Sequence, residues 1–266
     1  MPRSRLELIA FDGDDTLWHN ERSYRRGRER FRGLLARAGA ALTEEEIEAH
    51  VNRTELRNLE YYGYGVSSFV LSLIETALEL TNGRVTGGEL RDMIDLAKQM
   101  LTEEVELFDG VRRVVADLAA CYPLMLVTKG DLLHQTSKLE RSGLREQFRY
   151  VEVVSHKTPA VYAAILSRHG VDPARFLMVG NSLRSDILPV VAAGGWAVYV
   201  PAALSWSHEH ADVPESANGR YFEVAALDEL RGAIDALEQR LARRRTSRRS
   251  ASAAGRRRPA AGIRRS

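Results

Sequence analysis

The feature that most constrains the fold is a short apolar run near the start of the chain that ends in a cluster of acidic residues. The run from Leu8 to Phe11, LIAF, has the length and composition of a strand that is buried on both faces. Asp12, Asp14 and Asp15 follow it within four residues, and carboxylates this close repel one another unless a cation or hydrogen bonds offset their charge. Because ligands bind at the carboxyl ends of strands in a parallel sheet, we expect a functional site here.

A purely structural interpretation of the acidic cluster is the main alternative. Aspartate forms turns and caps helices well, but a single Asp would be enough for either role. Three acidic residues directly after a buried strand are harder to explain in this way, which favours a chemical role. Gly13, inside the cluster, is expected to let the backbone turn sharply as it leaves the strand.

The rest of the chain changes its periodicity twice, and this predicts the domain organisation. Residues 18–107 have helical periodicity throughout, with about four helices, which is too long for a simple strand–helix–strand crossover. Apolar strands alternating with helices then resume at residue 108, as is typical of a doubly wound parallel sheet. We therefore predict an α/β domain from residues 1–17 and 108–242, interrupted by an inserted helical domain over residues 18–107.

Polar residues follow each of the next three predicted strands. Thr128 ends the second strand, Lys157 lies just beyond the third, and residues 180–186, GNSLRSD, follow the fourth. Lys157 stands out because the chain has only four lysines beside 34 arginines. A threonine at a strand end is more often a helix cap than a ligand, so Thr128 alone carries little information.

Residues 12–16, DGDDT, resemble the first motif, DxDx[TV], of the haloacid dehalogenase-like (HAD) hydrolase superfamily. Thr128, Lys157 and residues 180–186 are similar to the second, third and fourth motifs of that superfamily, in the same order. The fourth motif, GDxxxxD, has one departure here, since Asn181 stands where the first acid is expected. The resemblance implies a Rossmann-like core with a helical cap, and most members are magnesium-dependent phosphatases.

The resemblance also implies a role for each matching residue. Asp12 would be the nucleophile that forms an aspartyl phosphate, and Asp14 would protonate the leaving group and later activate water. Thr128 would donate a hydrogen bond to a phosphoryl oxygen. Lys157 would offset the charge between nucleophile and phosphate, with Lys129 as a weaker alternative.

The metal predicted from the resemblance is Mg²⁺, which prefers hard oxygen ligands. Its ligands would be Asp12, the backbone carbonyl of Asp14, and Asp186 or Asn181, partly through water. Because the Asn181 amide carries no charge, we expect weaker metal binding than with an aspartate at this position.

These expectations combine into one functional hypothesis and two alternatives. The chain is predicted to hydrolyse a small phosphorylated metabolite, and the presence of Asp14 argues against dehalogenation, because the dehalogenases lack an acid at this position. The first alternative is a phosphomutase, which returns the phosphoryl group to substrate. The second is a non-catalytic binding module whose arginine-rich tail binds nucleic acid or an acidic partner.

The sequence says less about the substrate, although two segments are candidates for contacts with it. Residues near the nucleophile could line the entrance of the site, namely Trp18, His19 and Asn20. Residues of the predicted cap could face it from the other side, namely Arg53, Arg57, Tyr61, Tyr62 and Tyr64. Tyrosines next to glycines also serve as ordinary packing, and the two interpretations of the cap residues weigh equally.

Charge separates the C-terminal segment from the rest of the chain. Residues 243–266 contain ten arginines and no acidic residue, whereas the remainder has an excess of acidic side chains. The segment is predicted to be a disordered, solvated extension, and nucleic-acid binding through its arginines is the less favoured interpretation. A single cysteine, Cys121, and the lack of a signal peptide or an 18-residue apolar run lead us to expect a soluble, cytoplasmic protein. The oligomeric state is not indicated.

Overall fold

One six-stranded, fully parallel sheet forms the centre of the computed structural model, which describes residues 6–39, 42–204, 206–217 and 219–255. The strand order is β3-β2-β1-β4-β5-β6. The strands are β1 (Leu8–Phe11), β2 (Leu124–Lys129), β3 (Tyr150–Val154), β4 (Phe176–Gly180), β5 (Trp196–Tyr199) and β6 (Tyr221–Glu223). Strands β1 to β5 agree with the predicted alternation of apolar strands and helices, whereas β6 was not predicted, since three residues are too few to show a strand period.

Nine α-helices surround or extend from this sheet in the described ranges. They are α1 (Glu21–Arg37), α2 (Glu44–Tyr62), α3 (Val66–Leu80), α4 (Gly87–Thr102), α5 (Val111–Ala119), α6 (Leu132–Ser142), α7 (Pro159–His169), α8 (Leu188–Ala192) and α9 (Leu230–Gly255). A π-helical turn over Leu183–Ile187 leads directly into α8.

Strand β1 lies in the middle of the sheet, and this position explains why the side chains on both of its faces are apolar. It pairs with β2 on one side and with β4 on the other. Ile9 and Phe11 join the apolar cluster on one face of the sheet, which α5 and α9 cover, while Leu8 and Ala10 join the cluster on the other face, against α7. This two-sided burial confirms the predicted doubly wound α/β fold.

Helices α1–α4 are inserted between β1 and α5 and pack around an apolar cluster of their own, which includes Phe31, Phe69 and Met93. The two chain segments that connect them to the sheet run side by side. The Phe108 N–H donates to the Leu17 carbonyl at 3.1 Å, and the His19 N–H donates to the Glu106 carbonyl at 2.9 Å. The insertion therefore leaves and re-enters the sheet region at one place.

The C-terminal segment differs from the prediction of disorder from residue 243 onward. Helix α9 (Leu230–Gly255) includes residues 243–255, which the prediction assigned to the tail. Arginine and alanine are among the strongest helix formers, and this segment is rich in both. Residues 256–266, the rest of the predicted tail, lie outside the described residues. Within the described ranges, no helix combines the length and apolar character needed to cross a membrane.

Candidate active site

The ends of four neighbouring strands meet at one edge of the sheet, as predicted. Asp12 follows β1, Thr128 is the last but one residue of β2, Lys157 follows β3, and Asn181 follows β4. All four line one cavity of about 150 Å³, whose opposite wall comes from α1, α2, α3 and the turn between α2 and α3. Because β1 lies between β2 and β4, the cavity opens where the strand order reverses, which is the usual ligand site of such sheets.

A buried ammonium group links two carboxylates at the floor of the cavity. Lys157 Nζ forms an ion pair with Asp12 Oδ1 and a second one with Asp186 Oδ1 at 2.6 Å. The Lys157 side chain is only 1% exposed. A single buried cation thus serves two buried anions, which leaves the trio with an excess of negative charge.

Burial and charge shift the titration of this trio. Burial raises the pKa of Asp12 to about 7, with the neighbouring Asp186 carboxylate acting in the same direction and the Lys157 ammonium opposing them. The two carboxylates raise the pKa of Lys157 well above its usual value, although burial acts against this. Lys157 is therefore a permanent cation, as neutralisation of phosphoryl oxygens requires.

Asp14 is held by three donors from outside its own strand. Its carboxylate accepts from the Trp18 Nε1–H at 2.6 Å and from the Gln135 Nε2–H at 2.8 Å, and it forms an ion pair with Lys138. Burial alone would raise the pKa of Asp14, but Lys138 and the two hydrogen bonds lower it below its usual value. In this arrangement Asp14 is an ionised carboxylate that borders the cavity.

Asp15 caps a helix, which is the structural role considered above as the alternative for all three aspartates. Its backbone is left-handed, with φ of 57°, and its carboxylate accepts from the Asn20 and Glu21 N–H groups at 2.9 and 3.1 Å, which caps α1. Gly13 is needed for a different reason from the expected turn, because an added Cβ would lie 2.6 Å from the indole ring of Trp18. Trp18 itself is fully buried and supports Asp14.

Asn181 and Asp12 face the same hydroxyl group. Thr16 Oγ1 lies 3.1 Å from Asp12 Oδ2 and 3.2 Å from Asn181 Oδ1. One hydroxyl proton can serve only one of these acceptors at a time, so the other oxygen keeps a free lone pair. Asp186, by contrast, uses Oδ1 for Lys157 and Oδ2 for the Ser182 N–H, at 2.6 and 3.0 Å.

The next question is which side chains could hold a metal ion in this cavity. In the described part of the chain, no three side chains of the His, Cys, Asp and Glu type are arranged to hold a metal ion. A cation at this site would consequently depend on amide and backbone carbonyl oxygens in addition to the Asp12 carboxylate.

Lys129, the alternative to Lys157, belongs to a separate network. Its ammonium forms an ion pair with Glu209 and a hydrogen bond to Ser185 Oγ at 3.0 Å. Burial would raise the pKa of Glu209, but Lys129 and hydrogen bonds from Ser182 and Ser185 lower it to about 2. Lys157, and not Lys129, contacts Asp12. Thr128 also lines the cavity, and its hydroxyl makes a long contact of 3.4 Å to the Lys129 carbonyl.

Only some of the residues predicted to contact the substrate line the cavity. Asn20 and Tyr64 line the cavity, and Tyr64 covers Lys129, whose Nζ lies 4.0 Å from the ring centroid. The other cap candidates do not line this cavity, namely Arg53, Arg57, Tyr61 and Tyr62, and His19 is not among its lining residues either. Tyr61 and Tyr62 are largely exposed, and Arg57 forms surface ion pairs with Glu75 and Glu79.

Several residues of the site were not predicted. Gln135 and Lys138 reach Asp14 from α6, and Glu209 arrives from the loop after β5. The spacing of the motifs does not indicate these residues, but the rarity of lysine in the composition does indicate Lys138. Three of the four lysines in this arginine-rich chain line the cavity, at positions 129, 138 and 157.

The cavity wall formed by α1 gives a testable pH effect. Burial raises the pKa of Glu21 to about 7, with Asp15 acting in the same direction and Arg28 opposing it. A carboxyl group whose folded-state pKa exceeds its unfolded value destabilises the fold as pH rises from about 4 to about 7. We expect Glu21→Gln to raise the melting temperature relative to wild type at pH 8 more than at pH 5.

The matched control for this effect is Glu29→Gln, which makes the same change at an exposed position of the same helix. Melting temperatures of the three proteins at both pH values check the prediction. An equal shift at pH 5 and pH 8 for Glu21→Gln would show that the Glu21 carboxylate is not destabilised by its surroundings.

Comparison with known proteins finds related sequences over most of the chain. The family model for haloacid dehalogenase-like hydrolases matches residues 6–194. Among curated relatives, the N-acylneuraminate-9-phosphatase of Homo sapiens is 24% identical over 247 residues, which cover 90% of this chain and 97% of that protein.

Solved structures show the same fold. A haloacid dehalogenase-like hydrolase from Xanthomonas campestris, whose crystal structure is known, is 39% identical in sequence to this chain. The two structures superpose with a TM-score of 0.80, and the match covers 92% of this chain and 97% of that one. A HAD hydrolase from Bacillus subtilis, solved with bound magnesium, is 19% identical, with a TM-score of 0.62 and coverage of 87% and 99%.

Proposed function

The chain belongs to the haloacid dehalogenase-like hydrolase family, and we propose that it is a magnesium-dependent phosphatase that hydrolyses a small phosphate monoester through an aspartyl phosphate at Asp12. The observation that carries this proposal is the position of the Asp12 carboxylate, at the floor of a cavity and in contact with a buried ammonium group. A carboxylate so placed is a suitable nucleophile for phosphorus, and the cation beside it offsets the charge of the phosphoryl group.

In the first step, an oxygen of Asp12 attacks the phosphorus atom and the bond between phosphorus and the ester oxygen breaks. Lys157 offsets charge on the phosphoryl oxygens, and the Thr128 hydroxyl donates a hydrogen bond to one of them. The departing alkoxide needs a proton, which Asp14 supplies in its acid form. Because Lys138 holds Asp14 ionised, Asp14 has to separate from Lys138 before it can carry that proton.

In the second step, water attacks the phosphorus atom of the aspartyl phosphate, and the bond between phosphorus and the Asp12 oxygen breaks. Asp14 takes the proton from this water as general base. The ionised state of Asp14 suits this role directly. The site therefore favours hydrolysis over dehalogenation, which needs no acid–base group at this position.

The donor set at the floor of the cavity fits Mg²⁺. Asp12 Oδ2 and Asn181 Oδ1 both face Thr16 Oγ1, which has one proton for two acceptors, so an oxygen lone pair is left for a cation. Carboxylate, amide and carbonyl oxygens are the hard ligands that Mg²⁺ prefers. We assign the ion to Asp12, the Asp14 backbone carbonyl and Asn181, where it would neutralise charge on the phosphoryl oxygens.

Asp186 is a positioning residue in this proposal rather than a direct ligand. Both of its oxygens are already engaged, by Lys157 and by the Ser182 N–H. Of the two residues predicted as alternatives, we favour Asn181, because its Oδ1 shares the single Thr16 hydroxyl proton with Asp12, whereas each Asp186 oxygen has a donor of its own.

The neutral ligand at position 181 leads to a specific expectation. Asn181→Asp adds a negative charge next to Asp12, and we expect it to tighten Mg²⁺ binding by about tenfold or more, because ligand charge sets the affinity of such sites. Titration calorimetry with Mg²⁺ measures the effect. The same change in the exposed turn residue Asn82, Asn82→Asp, is the matched control and should leave affinity unchanged. Unchanged affinity in Asn181→Asp would remove Asn181 from the metal site.

The helical insertion completes the proposal. We assign residues 18–107 as a cap domain and residues 1–17 and 108–242 as the core, with the cavity between them. A cap over the cavity would exclude water from the aspartyl phosphate and supply contacts to the leaving group.

Release of inorganic phosphate from a panel of small phosphate esters tests the proposal. The panel includes sugar and polyol phosphates, an aryl phosphate and N-acylneuraminate 9-phosphate, for which the curated relatives are named. We expect release with Mg²⁺ and none with EDTA. Activity that is equal in EDTA would contradict the metal requirement, and rearranged esters without free phosphate would identify a phosphomutase.

A further inference from the structure

The ammonium group of Lys129 lies at the wall of the cavity, and three neighbours hold it there. Lys129 Nζ forms an ion pair with Glu209 and donates a hydrogen bond to Ser185 Oγ at 3.0 Å. The face of the Tyr64 ring covers the same group, with its centroid 4.0 Å from Nζ. A lysine ammonium has three N–H donors, so these three neighbours account for its binding capacity.

Lys129 is nonetheless close to the residues proposed to hold the phosphoryl group. It directly follows Thr128 in β2, and both residues line the cavity. Its partner Ser185 directly precedes Asp186, whose carboxylate binds the Lys157 ammonium. The two ammonium groups therefore bind adjacent residues of the turn after β4. Because a lysine has a flexible stem of four carbons, an unrestrained Lys129 would turn into the cavity and bind a phosphoryl oxygen.

Glu209 is the charged group that restrains Lys129, and it is itself held in place. A short helical turn over Ser207–Glu209, in the loop after β5, brings it to the cavity wall. One carboxylate oxygen faces Lys129, and the other accepts hydrogen bonds from Ser182 Oγ and Ser185 Oγ, each at 2.6 Å. The Lys129 and Glu209 side chains are only 14% and 15% exposed, so solvent screens their attraction weakly.

This restraint has a consequence for the binding of phosphate. A free ammonium beside the site would strengthen the binding of the substrate and of inorganic phosphate alike, because both are anions. Tighter binding of the ground state lowers KM without raising kcat, and tighter binding of the product slows its release. A carboxylate that keeps Lys129 from the phosphoryl group therefore favours turnover.

We propose that Glu209 is a positioning residue, which holds the Lys129 ammonium at Ser185 and leaves Lys157 as the lysine that offsets charge on the phosphoryl group. The inference rests on the proposed phosphatase function and adds control of phosphate release to it. Because Glu209 acts through Lys129, its effect on phosphate binding must disappear when Lys129 is absent. A purely structural role for Glu209, in holding the turn after β4, would not depend on the Lys129 charge in this way.

Titration calorimetry of inorganic phosphate on the whole protein with Mg²⁺ tests the inference. Glu209→Gln removes the charge of the side chain but keeps its size and an oxygen acceptor for the serine hydroxyls. We expect phosphate to bind about tenfold more tightly, as one additional charge-assisted hydrogen bond would produce. The KM for an aryl phosphate should fall in parallel, whereas kcat should not rise.

Three further variants make the test specific. Lys129→Met alone should leave phosphate affinity unchanged, because Lys129 does not bind phosphate while Glu209 holds it. Addition of Glu209→Gln to Lys129→Met should then have no effect on affinity. Glu215→Gln, the same chemical change at an exposed position of the same loop, is the matched control and should also have no effect. Circular dichroism and melting temperature establish that each variant is folded.

Unchanged or weaker phosphate binding by folded Glu209→Gln overturns the inference, as does tighter binding that persists without Lys129, or a kcat that rises. Weaker phosphate binding by Lys129→Met overturns it independently, since Lys129 would then already contact phosphate. Failure of the proposed function gives a different result, which is the absence of phosphate release from every ester by the wild-type protein. Calorimetry needs no turnover, so it decides the role of Glu209 in either case.

Discussion

Asp12→Asn is expected to lower kcat by on the order of 10⁴-fold or more while the protein stays folded, because an amide is a very poor nucleophile. The fold should tolerate the change, since Lys157 keeps its second ion pair with Asp186. Burial already disfavours the ionised form of Asp12, whose pKa is raised to about 7. We therefore expect the melting temperature at pH 8 to stay equal or to rise.

Steady-state phosphate release and thermal denaturation check this prediction together. Asp117→Asn makes the same chemical change on the exposed side of α5 and should leave both values unchanged. An Asp12→Asn protein with near-normal turnover would exclude Asp12 as the nucleophile and would require another route of phosphoryl transfer.

Lys157→Met is expected to reduce both activity and stability. Without the ammonium, Asp12 and Asp186 are two buried carboxylates with no cation between them. Loss of one partner of a buried ion pair typically costs about 3–5 kcal/mol, and loss of charge neutralisation at the phosphoryl group costs on the order of 10²–10³-fold in kcat. Lys98→Met, at a largely exposed lysine, is the matched control and should change stability by less than about 0.5 kcal/mol.

The pH dependence and metal dependence of Lys157→Met make its mechanism testable. Burial and the neighbouring Asp186 carboxylate already raise the pKa of Asp12, and the variant loses the ammonium that opposes them, so the destabilising effect of ionised Asp12 grows as pH rises above the unfolded value of about 4. We expect a larger stability deficit at pH 8 than at pH 5, and partial recovery with Mg²⁺. A deficit that is the same at both pH values would indicate lost packing rather than unpaired charge.

The parts of the site that could be predicted from the sequence are those set by strand ends. Asp12, Lys157 and Asn181 each follow a strand within a few residues, Thr128 is the last but one residue of its strand, and parallel strands bring their carboxyl ends to one edge. Local pattern and topology together are sufficient to place them.

The remaining parts depend on tertiary packing. Lys138 is 124 residues from Asp14 in the sequence, and Lys129 and Glu209 are 80 residues apart. Neither distance is encoded in a local pattern. The same limitation explains Gly13, for which the close approach of the Trp18 ring, rather than backbone conformation, is the constraint.

Two features of the fold also differ from the expectation, each for a physical reason. Strand β6 is short and is defined by its pairing with β5 rather than by its own sequence. Residues 243–255 lack a core-forming apolar set but have high helix propensity, so they extend α9 instead of ending it.

The measurement that tests the central claim most directly is the intact mass of Asp14→Asn after incubation with Mg²⁺ and an aryl phosphate. An aryl leaving group needs little protonation, so the first step should proceed without Asp14, whereas the hydrolysis step lacks its general base. We predict the added mass of one phosphoryl group, located on Asp12 by peptide mapping, and one equivalent of released phenol. Continued turnover with no added mass, or a phosphoryl group on another residue, would contradict the proposed covalent mechanism.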